Sequence, residues 1–139
     1  MLKIRKAKLK DCKECLRLAN GGKLMEVDGK PFSLSWIKAF VKEKQICLVA
    51  EESEKVVGFA FGGRVAENGC MMQLLSVDKR YQSEGIGGKL VKGFEKEAKK
   101  RKMIFIWCYA MEKNKKMIHI LKKQKYYKGK NYIEFLKYL

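Results

Sequence analysis

Leu74–Phe94 reads LLSVDKRYQSEGIGGKLVKGF, and the parsing of this stretch decides the fold. Leu74–Val77 fits the end of a buried strand, Asp78–Tyr81 a polar turn, and Gly85–Gly88 a glycine-rich bend. Ile86, Leu90, Val91, Phe94 and Ala98 then recur at the three- and four-residue spacing of an amphipathic helix. A helix that opens on glycines leaves its first N–H groups without intrahelical partners, at the positive end of the helix dipole. That geometry cradles an anion, so the stretch predicts a site for a phosphorylated ligand.

Working outward, Met103–Tyr109 (MIFIWCY) is too short for a helix and predicts a strand buried on both faces. With Leu74–Val77 and the helix between, it forms a right-handed β-α-β crossover of parallel strands. Upstream, Gln45–Glu51 and Val56–Arg64 flank Glu52–Lys55 as a hairpin, and the turn Glu67-Asn68-Gly69 leads into Cys70–Val77. These three strands predict an antiparallel meander. Leu2–Leu9 alternates aliphatic and basic residues as a strand with one wet face, and Asp11 with Glu14 has capping-box spacing for a helix ended by Asn20-Gly21-Gly22. An irregular region over Lys23–Ser35, with a turn at Asp28–Pro31, precedes a second helix capped by Ser33 or Ser35 and running to about Lys44. Asn114 caps a last helix to about Gln124, and Asn131–Tyr138 reads as a final strand. The expected class is α/β: one domain over 1–139, a mixed sheet of about six to seven strands, and helices on both faces. Within the central helix, Glu95–Lys99 and Glu97–Arg101 have favourable i,i+4 order, and Gly93 implies close packing on the sheet.

Composition narrows the function. No apolar run approaches the roughly 20 residues of a membrane helix, and the N-terminal MLKIRKAKLKD has no signal-peptide core, so a soluble cytoplasmic protein is expected, without membrane contact. Five cysteines at irregular spacing, with one CxxC (Cys12, Cys15) and a single histidine, fit buried reduced thiols better than a zinc site, and no metal is expected. Thirty-two Lys and Arg against 15 Asp and Glu give a net charge of +17, which favours polyanions or an anionic cofactor. The lysines run from end to end of the sequence, which makes nucleic-acid contact a secondary expectation.

Two familiar phosphate motifs fail at the central loop: a P-loop requires glycine at Ser83 and Ser or Thr at Leu90, and a dinucleotide fingerprint requires Gly or Ala at Leu90. What remains is Q-x-x-G-x-G, Gln82 to Gly87. In this context SVDKRYQSEGIGGKL, residues 76–90, resembles the central motif of the GNAT superfamily of acyl-CoA-dependent N-acyltransferases, and the order of elements resembles that family over nearly the whole chain. The resemblance implies acetyl-CoA as cosubstrate. Its pyrophosphate would lie on the loop Gln82, Ser83, Glu84, Gly85, Ile86, Gly87, Gly88 and Lys89, and its pantetheine arm along the backbone of Leu75 and Val77, between splayed strands. Asn114 matches a position that contacts the cofactor in relatives, or else serves only as an N-cap.

Acyl transfer from a thioester to an amine requires the amine to lose a proton and the leaving thiolate to gain one. Here the chain departs from the family pattern. One frequent base position is Met71 and another Tyr109, the usual acid tyrosine falls on Leu121, and the Gly-Phe after the last helix reads Lys125-Tyr126. Tyr109 is the candidate to position a water, His119 the one side chain titrating near neutrality, and Tyr126 or Tyr127 a substitute acid. Glu51, Glu52 and Glu112, at strand ends, are further candidate bases. The expected activity is acetyl transfer to a primary amine, whether a protein N-terminus, a lysine or a small amine, by direct attack in a ternary complex, by a monomer or homodimer. The charge leans toward a protein or ribosome-associated acceptor. The competing reading is a non-catalytic CoA-binding module acting through macromolecular contacts.

Overall fold

The computed structural model describes residues 1–24 and 28–139. Of the irregular region expected over Lys23–Ser35, residues 25–27 lie outside the described residues. The chain runs β1 (Leu2–Lys6), α1 (Cys12–Gly21), α2 (Leu34–Lys42), β2 (Ile46–Glu52), β3 (Lys55–Ala66), β4 (Gly69–Val77), α3 (Ile86–Lys100), β5 (Phe105–Trp107) and α4 (Lys115–Lys123). The strands form one sheet in sequence order. Neighbours are antiparallel from β1 to β4, and β5 joins β4 in parallel.

Two cores sandwich the sheet. Alternate residues of β2 and β3 face opposite sides: Cys47, Val49, Phe59 and Phe61 pack with α1 and α2, whereas Leu48, Ala50 and Ala60 pack with α3, joined there by Val57, the extra residue where the β2–β3 register shifts. On α3 the five residues read as its apolar stripe are all buried. A Cβ at Gly93 would stand 3.1 Å from both Ile4 and Leu48, so this glycine lets the helix lie close on the sheet.

The hairpin between β2 and β3 turns through Ser53 (φ 49) and Glu54 (φ 66), the double left-handed geometry of a type I′ turn. Neither residue favours that region, which costs a non-glycine residue about 1–2 kcal/mol. Replacing the pair with Asn-Gly (Ser53→Asn, Glu54→Gly) is expected to raise the unfolding free energy by about 1–2 kcal/mol in urea titrations, with an unchanged m-value.

Four expectations are corrected. The sheet has five strands, not six to seven, because residues 126–139 form neither helix nor strand. The Asn131–Tyr138 segment needs a partner edge, and three-residue β5 supplies little of one. The tail instead touches the body through Tyr132, whose ring lies 6.4 Å from that of Trp107, and through the Tyr138 hydroxyl, which donates to the Asp28 carbonyl at 3.3 Å. Second, β5 is not buried on both faces: Ile106 packs toward α3, but Phe105 and Trp107 are exposed, since the α1–α2 core includes no β5 residue. Third, Asp11 does not cap α1; its carboxylate accepts from the Lys8 N–H and from both Arg5 Nη1 (2.8 Å) and Nη2 (3.0 Å). Fourth, of the two ion pairs expected on α3, Glu97–Arg101 forms (3.2 Å) and Glu95–Lys99 does not. Elsewhere Ser33 caps α2 through the Trp36 N–H, at 3.2 Å.

Candidate active site

The site is built where β4 and β5 part. Their ladder holds only from Gly69–Phe105 to Met71–Trp107, while β4 continues to Val77. Across β3, Phe61 pairs with Leu74 and Gly62 with Met72, so Gln73 is an extra residue in β4. Such a bulge bends its strand and increases the local twist. The bend coincides with the end of β5 pairing.

Beyond the bulge one edge of β4 is left open. The Asp78 N–H donates to Val57 O at 2.8 Å. Hydrogen-bonded positions alternate along an antiparallel pair, so Ser76 faces β3 with its backbone groups, and Leu75 and Val77 turn theirs to the other side, where β5 no longer pairs. The Val77 carbonyl is met there by Gln82 Nε2 at 3.1 Å, and Lys116 Nζ donates to Gln82 Oε1 at 2.8 Å. Gln82 thus ties the loop to the end of β4 and to α4. Sequence reading selected Gln82 but missed Lys116, whose only signal is its place two residues past the cap Asn114.

The loop approaches α3 through two left-handed residues, Ser83 (φ 73) and Gly85 (φ 77). Glu84 lies between them, exposed. A Cβ at Gly85 would meet nothing within 4 Å, so this position faces open space. Gly85 has no side chain to cap α3, and the first N–H closing a helical bond is that of Lys89, to Gly85 O at 3.1 Å. The N–H groups of Ile86, Gly87 and Gly88 therefore precede the ladder without a partner among the described residues. Gly87 has a different task from Gly85: a Cβ there would lie 2.9 Å from Ile120 Cδ1, so it admits α4 against the first turn of α3.

Asp78 staples this loop to α1. Its buried carboxylate accepts from Arg80 N–H (3.0 Å), Arg80 Nη2 (2.9 Å) and Arg17 Nη2 (3.4 Å). Arg80 first, and then Arg17, hold the carboxyl well below the usual carboxylate range. Asp11 is lowered too: burial opposes ionisation there, and Arg5 with the Lys8 N–H outweighs it. A depressed carboxyl stabilises the fold fully above its unfolded pKa, about 3.9, and loses that contribution as pH falls. Stability is accordingly expected to be level from neutrality to about pH 5 and to drop below about pH 4; Asp78→Asn should lower the melting temperature at neutrality and make the acid drop shallower.

The remaining sequence candidates scatter. Asn114 is an N-cap, its Oδ1 accepting from the Met117 N–H at 3.2 Å. Tyr109 follows β5 and is 66% exposed, its ring 6.0 Å from that of Trp107. His119 lies on the exposed side of α4, without a hydrogen-bond partner among the described residues. Glu51 is bound by Arg5 (3.0 Å) and Glu52 by the chain N-terminus (3.2 Å), while Glu112 is exposed. Tyr126 differs: its hydroxyl is buried with no hydrogen-bond partner. Burial first, and then the Glu95 carboxylate beside the hydroxyl, push its pKa up, although no hydrogen bond of normal geometry joins the two. A cleft of about 650 Å³ also opens beside α1; its arginines are paired, Arg5 with Asp11 and Glu51, and Arg17 with Glu14 and Asp78, whereas Lys10, Glu54 and Lys55 on its wall form no ion pair with a described residue.

Together β4, β5 and α3 define an α/β protein in which an open strand edge stands beside the unpartnered N–H groups of a helix N-terminus. Residues 12–126 match the Acetyltransferase (GNAT) family, and the chain belongs to that family. No protein of curated function matches it. Among solved structures, an aminoglycoside acetyltransferase from an uncultured soil metagenomic sample, in complex with sisomicin, superposes with a TM-score of 0.81 at 19% identity, covering 99% of this chain and 96% of its own. Ribosomal-protein-alanine N-acetyltransferase from Brucella melitensis superposes with a TM-score of 0.76 at 24% identity (88% and 82% covered). The yncA protein from Salmonella typhimurium, with its cofactor acetyl-CoA, gives 0.77 at 20% identity (89% and 78% covered). These likenesses establish the GNAT fold. No described helix is long and apolar enough to cross a membrane.

Proposed function

We propose that the protein, as one domain over residues 1–139, transfers an acetyl group from acetyl-CoA to a primary amine. The observation that carries this reading is the set of unpartnered N–H groups at Ile86–Gly88, beside an open Gly85 and next to the unpaired edge of β4. The residues fit the cosubstrate: the loop from Ser83 to Gly88 would receive its pyrophosphate, Lys89 would add charge at the rim, and Leu75 and Val77 would pair with the amides of the pantetheine arm as an added strand. Bound acetyl-CoA supplies the activated thioester.

This chain's residues orient the partners and handle protons. As the amine nitrogen bonds to the carbonyl carbon, the C–S bond breaks; the amine gives a proton to solvent and the thiolate receives one. Tyr126 is proposed as the hydrogen-bond donor to the departing sulfur, because its hydroxyl lies in the core with no partner. Tyr109 is proposed to position the accepting water, with His119 on α4 as the second candidate for handling the proton. Direct attack in a ternary complex is preferred to a cysteine intermediate, since burial pushes the Cys108 thiol up to about 11 and leaves little thiolate at neutrality. No step calls for a metal, and turnover is expected to survive chelators. Five free thiols suit a reducing compartment such as the cytoplasm.

The acceptor class proposed is a protein N-terminus or lysine, because a protein of +17 disfavours cationic small amines unless its pocket is acidic. The family match favours this reading over a non-catalytic module. Acetyl-CoA consumption, followed by thiol release against peptides with free N-termini, lysine peptides and small amines, tests the reading. Release with a peptide supports it, and tight acetyl-CoA binding without transfer to any amine would sink it.

A further inference from the structure

We propose that the outer face formed by α3 and α4 docks a nucleic acid through its phosphodiester backbone, a role that does not rest on the acetyltransferase reading. Residues 86–130 hold 15 of the 32 basic residues and 3 of the 15 acidic ones, so this third of the chain carries +12 of the net +17. Along the sequence the lysines look evenly spread; the fold collects them. The inner side of α3 is consumed by the core, which leaves Lys92, Lys96 and Lys99 exposed at a spacing of about one per turn, beyond the Lys89 given to the rim of the cofactor site. Because α4 packs on the first turn of α3 through Ile120 and Gln124, its exposed Lys122 and Lys123 extend the same basic region.

None of the lysines between 86 and 130 forms an ion pair with a described residue; of the three acids there, Glu97 is buried against Arg101 and Lys6, Glu95 is half-buried, and Glu112, ahead of α4, is exposed. In the cleft beside α1, by contrast, Arg5, Arg17 and Arg80 are each matched by a carboxylate. Like charges one turn apart cost a helix a few tenths of a kcal/mol each. The uncompensated ridge therefore calls for an external polyanion.

Nucleic acid fits this face better than a membrane. A helix lying on a bilayer inserts an apolar side between its lysines, and here the apolar sides of α3 and α4 are occupied by the core. The 15 residues of α3 extend about 22 Å, the span of roughly six phosphates of one strand. Trp107 belongs elsewhere: Ile106 packs toward α3, and successive side chains of a strand alternate, so the indole faces the other side of the sheet. Contacts to phosphates alone carry no sequence information, so binding is expected to ignore sequence.

Fluorescence anisotropy with short labelled RNA and DNA duplexes, between about 50 and 200 mM salt, tests the proposal. The expected result is sequence-independent binding that weakens steeply with salt. Lys92→Gln/Lys96→Gln/Lys99→Gln should cut affinity at least tenfold at low salt and reduce the log–log salt slope by about 2–3. Lys38→Gln/Lys42→Gln/Lys44→Gln, which removes equal charge from α2 and its C-terminal turn, should leave both nearly unchanged. Equal losses from the two triple variants, no duplex binding at low salt, binding to phosphatidylserine vesicles in place of duplexes, or displacement of the duplex by acetyl-CoA would each overturn it. Failure of acetyl-CoA to bind the wild type would instead count against the acetyltransferase reading alone.

Discussion

Gly85→Asp is expected to weaken acetyl-CoA binding at least 100-fold, measured by calorimetry, while the domain stays folded. Gly85 faces open space at φ 77, so a new side chain clashes with nothing. Aspartate is among the residues that tolerate the left-handed region, and the cost to the fold stays near 1–2 kcal/mol. The damage is electrostatic: a carboxylate at about 4 Å from a phosphate charge is repelled by about 4 kcal/mol at an effective surface dielectric of about 20. Gly85→Asn separates charge from shape, since it has the same bulk and backbone tolerance; its loss should be well under tenfold. Equal losses from the two variants would mean that backbone shape, not an anion, is what the position serves.

Tyr126→Phe should divide stability from turnover. A buried hydroxyl without a partner costs about 1–3 kcal/mol, and the Tyr126 hydroxyl is the only such side-chain atom among the described residues. Removing it is expected to raise the melting temperature while thiol release falls at least tenfold in kcat, with KM for acetyl-CoA little changed. A phenol is protonated at neutrality and so has its hydrogen to offer a developing thiolate. A more stable enzyme with full kcat would make the hydroxyl a packing defect and remove it from the mechanism.

Much of the fold is legible in the sequence because each element carries its own period. The buried stripe of α3, the hairpins and the cap Asn114 all follow from spacing and turn chemistry over a few residues. What escaped depends on partners far along the chain. Asn131–Tyr138 has the composition of a strand, but a strand exists only where an edge receives it, and β5 presents three residues. The apolar run around Phe105 reads as doubly buried only if both layers reach it, and the α1–α2 layer stops short. Asp11 and Glu14 have capping-box spacing, yet Arg5 captures the carboxylate from β1. At the site, the glycine loop was visible in the residues and the open edge only through the family resemblance, since Gln73 gives no sign in sequence that it is a bulge. Tyr126, in place of the family's phenylalanine, signalled a hydroxyl where none is usual; that it lies buried and unpartnered needed the fold.

The most direct test of the central claim is a crystal structure of the protein with acetyl-CoA. The account predicts pyrophosphate oxygens within hydrogen-bond distance, about 2.7–3.2 Å, of N–H groups from Ile86 to Gly88, and the pantetheine amides paired with Leu75 and Val77 in the gap between β4 and β5. Acetyl-CoA bound in the charged cleft beside α1, with those backbone groups untouched, would contradict it.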